Sequence, residues 1–339
     1  MKRILLLRTW LSNIGNGFIE KGAVESLQRS LNDIVIIETS SLSDLVGYSL
    51  GRRDCRARIQ RIDKVNGILP TSNFINVSQF IDEIDAVVIP GCVLDIPRLR
   101  TLYPTLKYLK EKGFPISFLG AGGKSYDSIT KSSVTKILNK IEPHALLTRD
   151  VYAYEAYGGI SQYAHRGIDC AFFINDWYNP PRSSRRYVLM TFDFHEEPDI
   201  DPMDMQVVRT THSPLFFAHF HNPLVRMPLK IMSRVCGGFN EYRHSILKKE
   251  GVVLSDLLTD YLFLYANAEM VYTDRVHACV ATLAYGGRAR LFSDTVRAGL
   301  FQELLDEDIT ERLVSLDEDY LLEKKEEQLS AIKECFEAL

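Results

Sequence analysis

Uninterrupted apolar runs recur along the chain: Ile4-Leu5-Leu6-Leu7, Ile34-Val35-Ile36-Ile37, Ala86-Val87-Val88-Ile89 and Ala145-Leu146-Leu147. No polar residue alternates within them, so a strand built from such a run has both faces buried. Helical spacing fills the intervals, as in Leu99, Leu102, Leu106 and Leu109, which lead to the stop signal Lys112-Gly113. The expected order is strand 2–8, helix 18–31, strands 34–37 and 86–89, then a helix ending near 112. Strand 115–119, helix 129–141 and strand 145–148 follow. Apolar strands alternating with helices give a parallel sheet covered on both sides.

The pattern breaks at Trp177-Tyr178-Asn179-Pro180-Pro181-Arg182-Ser183-Ser184-Arg185-Arg186, which has the proline, serine and charge of a linker. It restarts with strand 187–192. Residues 193–238 are rich in Pro, Met and His and show no clear period. Helix 255–266, strand 269–273, helix 274–285 and strand 289–292 come next, and a charged amphipathic helix spans 321–339. At about 150 residues per domain, the 339 residues suit two α/β domains facing across a cleft. The expected division is 1–176, a linker at 177–186, 187–315, and a terminal helical segment, 316–339, packing back on the first domain.

Several classes are excluded. Arg8 ends the apolar run after Met1-Lys2-Arg3 too early for a secretory signal, and no stretch has the ~18 apolar residues of a membrane span. The six cysteines are scattered without a CxxC pair, which implies reduced thiols and a cytoplasmic setting. A net charge of −4 argues against a surface built for nucleic acid. His212, His219 and His221 lack the cysteine or acidic companions of a metal site, so no metal is expected.

Two glycine-rich turns follow strands. Gly15-Asn16-Gly17 lacks dinucleotide spacing. Gly120-Ala121-Gly122-Gly123-Lys124-Ser125 ends like a phosphate-binding loop but has Phe118 where that loop needs glycine. Tight packing turns and ligand contact both remain open for them. The stretch 51–64 carries six basic residues (Arg52, Arg53, Arg56, Arg58, Arg61, Lys64) and reads either as a docked surface helix or as a patch for an anionic partner such as a membrane surface. Arg149-Asp150 stands where a strand gives way to a helix, with Asp150 as a cap and Arg149 as a surface residue or an anion clamp. Asp169 is a turn residue or a base. In Thr273-Asp274-Arg275-Val276-His277-Ala278 a buried strand runs into a helix. Backbone N–H groups there attract anions, a guanidinium clamps them, and an imidazole beside an anion can act as an acid. A cap at Asp274 with Arg275 on the surface is the alternative.

Taken together, Asn13-Ile14-Gly15-Asn16, Thr148-Arg149-Asp150, Asp169-Cys170-Ala171-Phe172 and Thr273-Asp274-Arg275-Val276-His277-Ala278 followed by Gly286-Gly287 resemble the polysaccharide pyruvyl transferase family. Gly15-Asn16 stands where that family usually has Gly-Asp. The resemblance implies two Rossmann-like domains in a GT-B-like arrangement, and transfer of pyruvate from phosphoenolpyruvate onto two hydroxyls of a saccharide, free or lipid-linked. It implies Arg275 and Arg149 as clamps on the donor and His277 as the acid. Asn13, Asn16, Gly120, Gly122, Lys124, Asp169 and Asp274 would line the substrates, with no metal and no cofactor. A nucleotide-sugar glycosyltransferase of the same architecture, or a non-catalytic sugar- or phosphate-binding relative, are the alternatives.

Overall fold

The computed structural model describes residues 1–8, 13–39, 83–212 and 249–339. The arginine-rich stretch 51–64, His219 and His221 lie outside the described residues, as does the greater part of 193–238. Among the described residues, no helix is long and apolar enough to cross a membrane.

The first half is a six-stranded parallel sheet in the order β2-β1-β3-β4-β5-β6. The strands are β1 (Lys2–Leu7), β2 (Ile34–Thr39), β3 (Ala86–Pro90), β4 (Ile116–Ala121), β5 (Ala145–Thr148) and β6 (Tyr163–Arg166). Leu5 is level with Ile37 on one side and Val87 on the other, so the apolar runs stack at the sheet centre. Helices α1 (Ile14–Ser30), α2 (Ile96–Glu111), α3 (Ser128–Ile141) and α4 (Val151–Tyr157) make the crossovers. Each starts on a side chain that accepts a backbone N–H: Asn13, Asp95, Asp127 and Asp150 respectively.

The second half holds a four-stranded parallel sheet in the order β10-β9-β7-β8. Its strands are β7 (Tyr187–Thr191), β8 (Gln206–Thr210), β9 (Met270–Thr273) and β10 (Ala289–Leu291), with helices α5 (Leu258–Asn267) and α6 (Val276–Ala284). These are two Rossmann-like sheets in a GT-B-like arrangement, as the family resemblance implied, and the strands are parallel, as the apolar runs implied. Both orders contain a point where the chain leaves one strand to one side and returns on the other. It lies between β1 and β3 in the first sheet and between β7 and β9 in the second.

One apolar core lies between the first sheet and helices α2 and α3, through Leu5, Val87, Phe118 and Leu146. A second runs from Ile4 and Leu6 through α1 and the turn Cys170–Phe173 into β7, β9 and α6, joining the two halves. Contact at that seam is close. A Cβ on Gly22 of α1 would stand 1.8 Å from the carbonyl oxygen of Cys170, so only glycine fits there. The last helix, α7 (Glu318–Glu337), returns to the first half. Its Gln328 side chain accepts the Ile168 N–H at 2.7 Å, Lys325 reaches Asp176 at 2.6 Å, and the Phe336 carbonyl accepts from Lys2 at 2.6 Å.

Three expectations need correction. Strands β6 and β8 carried no apolar run and were not expected. Helix α1 starts at Ile14 rather than 18, because Asn13 closes its first turn onto Gly15 N–H at 3.0 Å. Helix α6 starts at Val276, leaving Arg275 at the capping position with extended backbone, so Asp274 is not the cap.

Candidate functional site

The carboxyl ends of β7 and β9 meet at the second switch point. There the Asp274 carboxylate accepts the backbone N–H groups of Asp193 (3.1 Å), Phe194 (2.6 Å) and His195 (2.9 Å). Its side chain is wholly buried, so it folds the loop after β7 and has no face left for a substrate. Thr273 Oγ1 donates to the Thr191 carbonyl at 2.7 Å and accepts Arg275 N–H at 2.9 Å, which fixes the backbone from which Arg275 projects. The Arg275 guanidinium lies over the Phe194 ring, 4.9 Å from its centroid, with Nε 3.4 Å from Asp193 Oδ2. Asp193 is itself held by the Thr211 hydroxyl and by His212 N–H at 3.2 Å.

His277 sits in the first turn of α6, with Nε2 3.4 Å from Asp169 Oδ2. The same oxygen accepts from Arg149 Nη1 at 2.7 Å, while Oδ1 accepts Ala171 N–H at 2.9 Å. Burial lowers the pKa of His277, and the attraction of Asp169 does not restore it. Burial alone would raise the Asp169 carboxyl, but His277 and Arg149 outweigh it and hold Asp169 below the usual carboxylate range. Asp169 is therefore held ionised with its Oδ2 toward His277 Nε2, while burial works against a charge on the imidazole.

The other side of that imidazole faces α1. A Cβ on Gly15 would stand 2.8 Å from His277 Cβ, 3.1 Å from its Nδ1 and 3.2 Å from His212 Nδ1. The Ile14 N–H donates to the His212 carbonyl at 2.9 Å. The first turn of α1 is thus wedged between two imidazoles from the second half. His212 is tied through Nε2 to Tyr265 Oη (2.7 Å), which reaches Thr191 Oγ1 (3.0 Å). Burial first, then the charges of Arg275 and His277, pushes the His212 pKa well down.

Of the residues expected at the site, Asn13, Arg149, Asp169, Asp274, Arg275 and His277 gather around this seam. Asn16 is buried in α1 beside it. Gly120 and Gly122 serve packing: their Cβ atoms would stand 2.7 Å from Cys170 Sγ and 2.4 Å from Arg149 Nε. Gly122 N–H donates to the Gly91 carbonyl at 3.3 Å and Gly123 N–H to Tyr126 Oη at 2.9 Å, so this turn has no phosphate cradle. Lys124 is half exposed and only loosely faces Asp95, at 3.8 Å. Asp193, Tyr265 and Thr191 were missed, and His212 was weighed only as a metal ligand. Asp193 had a signal, since it follows a buried strand just as Asp274 does. A cleft of about 990 Å³ opens between Tyr126, Asp127 and Tyr152 of the first half and Ser293, Thr295 and Gln302 of the second.

The sequence profile of the polysaccharide pyruvyl transferase family matches residues 13–294. No curated protein matches the chain by sequence. Among solved structures, it is similar to the S. aureus MnaA–UDP complex, with 13% identity, TM-score 0.51, and coverage of 99% of this chain and 91% of that one. It is also similar to the Methanocaldococcus jannaschii UDP-GlcNAc 2-epimerase in complex with UDP-GlcNAc and UDP, with 14% identity, TM-score 0.51, and coverage of 100% and 99%. At this identity the likeness is one of fold. Against the expected phosphoenolpyruvate donor and ketal-forming pyruvyl transfer stands the finding that these two structures of the same fold hold UDP and a UDP-sugar. The geometry supplies a reason. Arg149, expected to clamp the donor, is turned inward onto Asp169, and burial disfavours the protonated imidazole that His277 needed as a standing acid.

Proposed function

The chain belongs to the polysaccharide pyruvyl transferase family, and from that premise and its GT-B-like fold we propose that it binds and converts a nucleotide sugar in the cleft between the two sheets. The observation that carries this reading is the convergence of Arg275, His277, Asp169 and Arg149 at the carboxyl edge of the second sheet, against the first turn of α1. Open α/β sheets take their ligands at such an edge. Arg275, with the amino end of α6 behind it, supplies positive charge for a diphosphate. His277, its Nε2 proton held by Asp169, offers a lone pair at Nδ1 and so moves a proton as general base. Arg149 is a positioning residue that keeps Asp169 ionised. The ligand of the UDP-bound neighbours, a uridine diphosphate sugar, is the first candidate.

The same proposal divides the chain at 177–186, with 1–176 on the sugar side, 187–315 on the nucleotide side and 316–339 as a strap. A cytoplasmic setting fits the free, buried thiols of Cys92, Cys170, Cys279 and Cys335.

A thermal-shift series with UDP, UDP-sugars and uridine tests the reading. Ligand at a hundred times its Kd stabilises the folded state by about 2.7 kcal/mol, so UDP and at least one UDP-sugar raise Tm while uridine leaves it unchanged. No response to any UDP ligand overturns the proposal. Turnover of a bound UDP-sugar without acceptor marks an isomerase, and turnover only with an added saccharide marks a transferase.

A further inference from the structure

The cleft of about 990 Å³ between the two halves is walled by aromatic rings, hydroxyls and carboxylates, and among the described residues no lysine, arginine or histidine lines it. Its second-half wall starts at the carboxyl end of β10, the strand beside β9. Phe292 N–H donates there to the Thr273 carbonyl at 2.7 Å, so the wall adjoins the turn that carries Arg275. On the first-half side stand Tyr126 and Tyr152, their ring centroids 5.9 Å apart and their planes inclined by 32°. The Tyr126 hydroxyl is drawn inward, donating to Asp150 Oδ1 at 3.1 Å and accepting Gly123 N–H at 2.9 Å. Tyr152 spans the halves: its hydroxyl accepts from Gln302 Nε2 at 3.0 Å, and a Cβ on Gly299 would stand 2.7 Å from its Cε2. The two rings form a platform pinned by their own hydroxyls.

Five carboxylates border the same space: Asp127, Asp294, Asp306, Glu307 and Asp308. Three are engaged. Asp127 accepts from Ser125 Oγ and Thr130 Oγ1, each at 2.6 Å. Asp308 accepts the Thr310 N–H (2.8 Å) and hydroxyl (2.7 Å), and Glu307 accepts from Arg312 at 3.2 Å. Asp294 and Asp306 are exposed and have no hydrogen bond or ion pair among the described residues. Arg297, whose Nε is 3.5 Å from Thr295 Oγ1, stands beside the wall without forming part of it. The lining is therefore rich in acceptors and negative in charge, the opposite of what a phosphate requires.

We infer that this cleft is a saccharide subsite that admits uncharged and amino sugars and rejects acidic ones, with Tyr126 and Tyr152 as its platform and Asp294 and Asp306 as its hydroxyl acceptors. The inference takes from the reading above that the cleft holds ligand, and adds the charge class of the sugar and the residues that set it. A sugar ring has C–H faces that lie on aromatic rings and hydroxyls that donate to carboxylates. A sugar carboxylate meets like charge and brings no donor in its place. The same field directs a diphosphate away from this wall and toward the Arg275 end.

The test is a saturation-transfer NMR titration of the full chain with methyl glucoside, glucosamine and glucuronate, at low and high salt, with UDP titrated in parallel. Wild type binds the first two, and glucuronate about tenfold more weakly at low salt, the size of repulsion from two like charges ~5 Å away in water. The gap narrows at high salt, because exposed charges are screened. An Asp294→Asn, Asp306→Asn double variant, altered only at exposed side chains, keeps methyl glucoside and closes the gap. Tyr152→Ala loses methyl glucoside, and Tyr152→Phe, which keeps the ring, retains it. No sugar binding by wild type, glucuronate bound as well as methyl glucoside, or a gap unchanged in the double variant overturns the subsite. Sugar binding with the expected preference but no UDP binding upholds the subsite and overturns the nucleotide-sugar reading. UDP binding without sugar binding does the reverse.

Discussion

The turns after β4 and β9 occupy equivalent places, each at the carboxyl end of a central parallel strand on the way to a helix, yet they use that place differently. The first, Gly120-Ala121-Gly122-Gly123-Lys124, is closed. Neighbouring atoms fill the space where side chains would stand, and its amides are spent on the Gly91 carbonyl and the Tyr126 hydroxyl. The second, Thr273-Asp274-Arg275-Val276-His277, is also buried but carries its ionisable side chains to partners on other elements. Thr273 and Asp274 lock the backbone and the opposite loop, and Arg275 and His277 project from that fixed base. The two are linked, because the missing side chain at Gly122 leaves room for Arg149, which holds Asp169 against His277. A glycine-rich turn at a sheet edge can therefore serve a site by yielding space to a charged neighbour and not by wrapping a phosphate.

The largest expected effect comes from the charge that joins the two turns. Asp169→Asn leaves buried Arg149 with only the looser Asp150, at 3.8 Å, as counter-ion, and removing one partner of a buried pair costs about 3–5 kcal/mol. Urea unfolding measures it, and a loss below about 1 kcal/mol would detach the first turn from the second. Next is Gly122→Ala, whose Cβ would stand 2.4 Å from Arg149 Nε. Overpacking of this kind costs about 1–3 kcal/mol, and a neutral substitution would mean the turn is not closed.

Acid acts on the histidines of the second turn's surroundings. His212 has a pKa pushed well below its ordinary 6.5, chiefly by burial. The unfolded chain then binds a proton that the folded one refuses, so its contribution is fully present above about pH 6.5 and is lost as pH falls below that value. The loss is about 1.4 kcal/mol per pH unit, until the folded-state pKa is reached. Unfolding free energies from pH 7 to 5 show this slope, and His212→Asn removes its share, leaving that of His277, whose pKa burial also lowers. The smallest effect belongs to Lys124, half exposed and 3.8 Å from Asp95. Lys124→Ala changes stability by less than about 0.5 kcal/mol and leaves binding of UDP ligands intact. Lost binding would reinstate a phosphate role for the first turn.

Central strands could be read from sequence because burial on both faces demands continuous apolar runs, and β1, β3, β5 and β7 have them. Strands β6 and β8 could not. Each is an edge strand with a single neighbouring strand; Tyr163-Ala164-His165-Arg166 is only partly covered, and Gln206 and Arg209 interrupt the other, which is bridged on its far side only at Val252. At the site, Arg275 and His277 were legible because a strand-to-helix junction is a local pattern. Their supports were not, since the His277–Asp169 contact spans 108 residues and the His212–Tyr265 contact spans 53. The first pair exists only after the two halves have packed, the second only after the second half has folded. Asp274 misled for a similar reason: three amides from the loop after β7 turn a polar residue at a binding edge into a structural one.

The second turn is the heart of this account, and Arg275→Lys tests it most directly by calorimetry with a UDP-sugar that stabilises wild type. Lysine keeps the charge but loses the planar fork that meets a diphosphate. A charge-assisted hydrogen bond is worth about 1.5–3 kcal/mol, so affinity falls by roughly one to two powers of ten while the unliganded melting temperature stays close to that of wild type. Wild-type affinity in Arg275→Lys would contradict the claim that the turn after β9 holds the ligand.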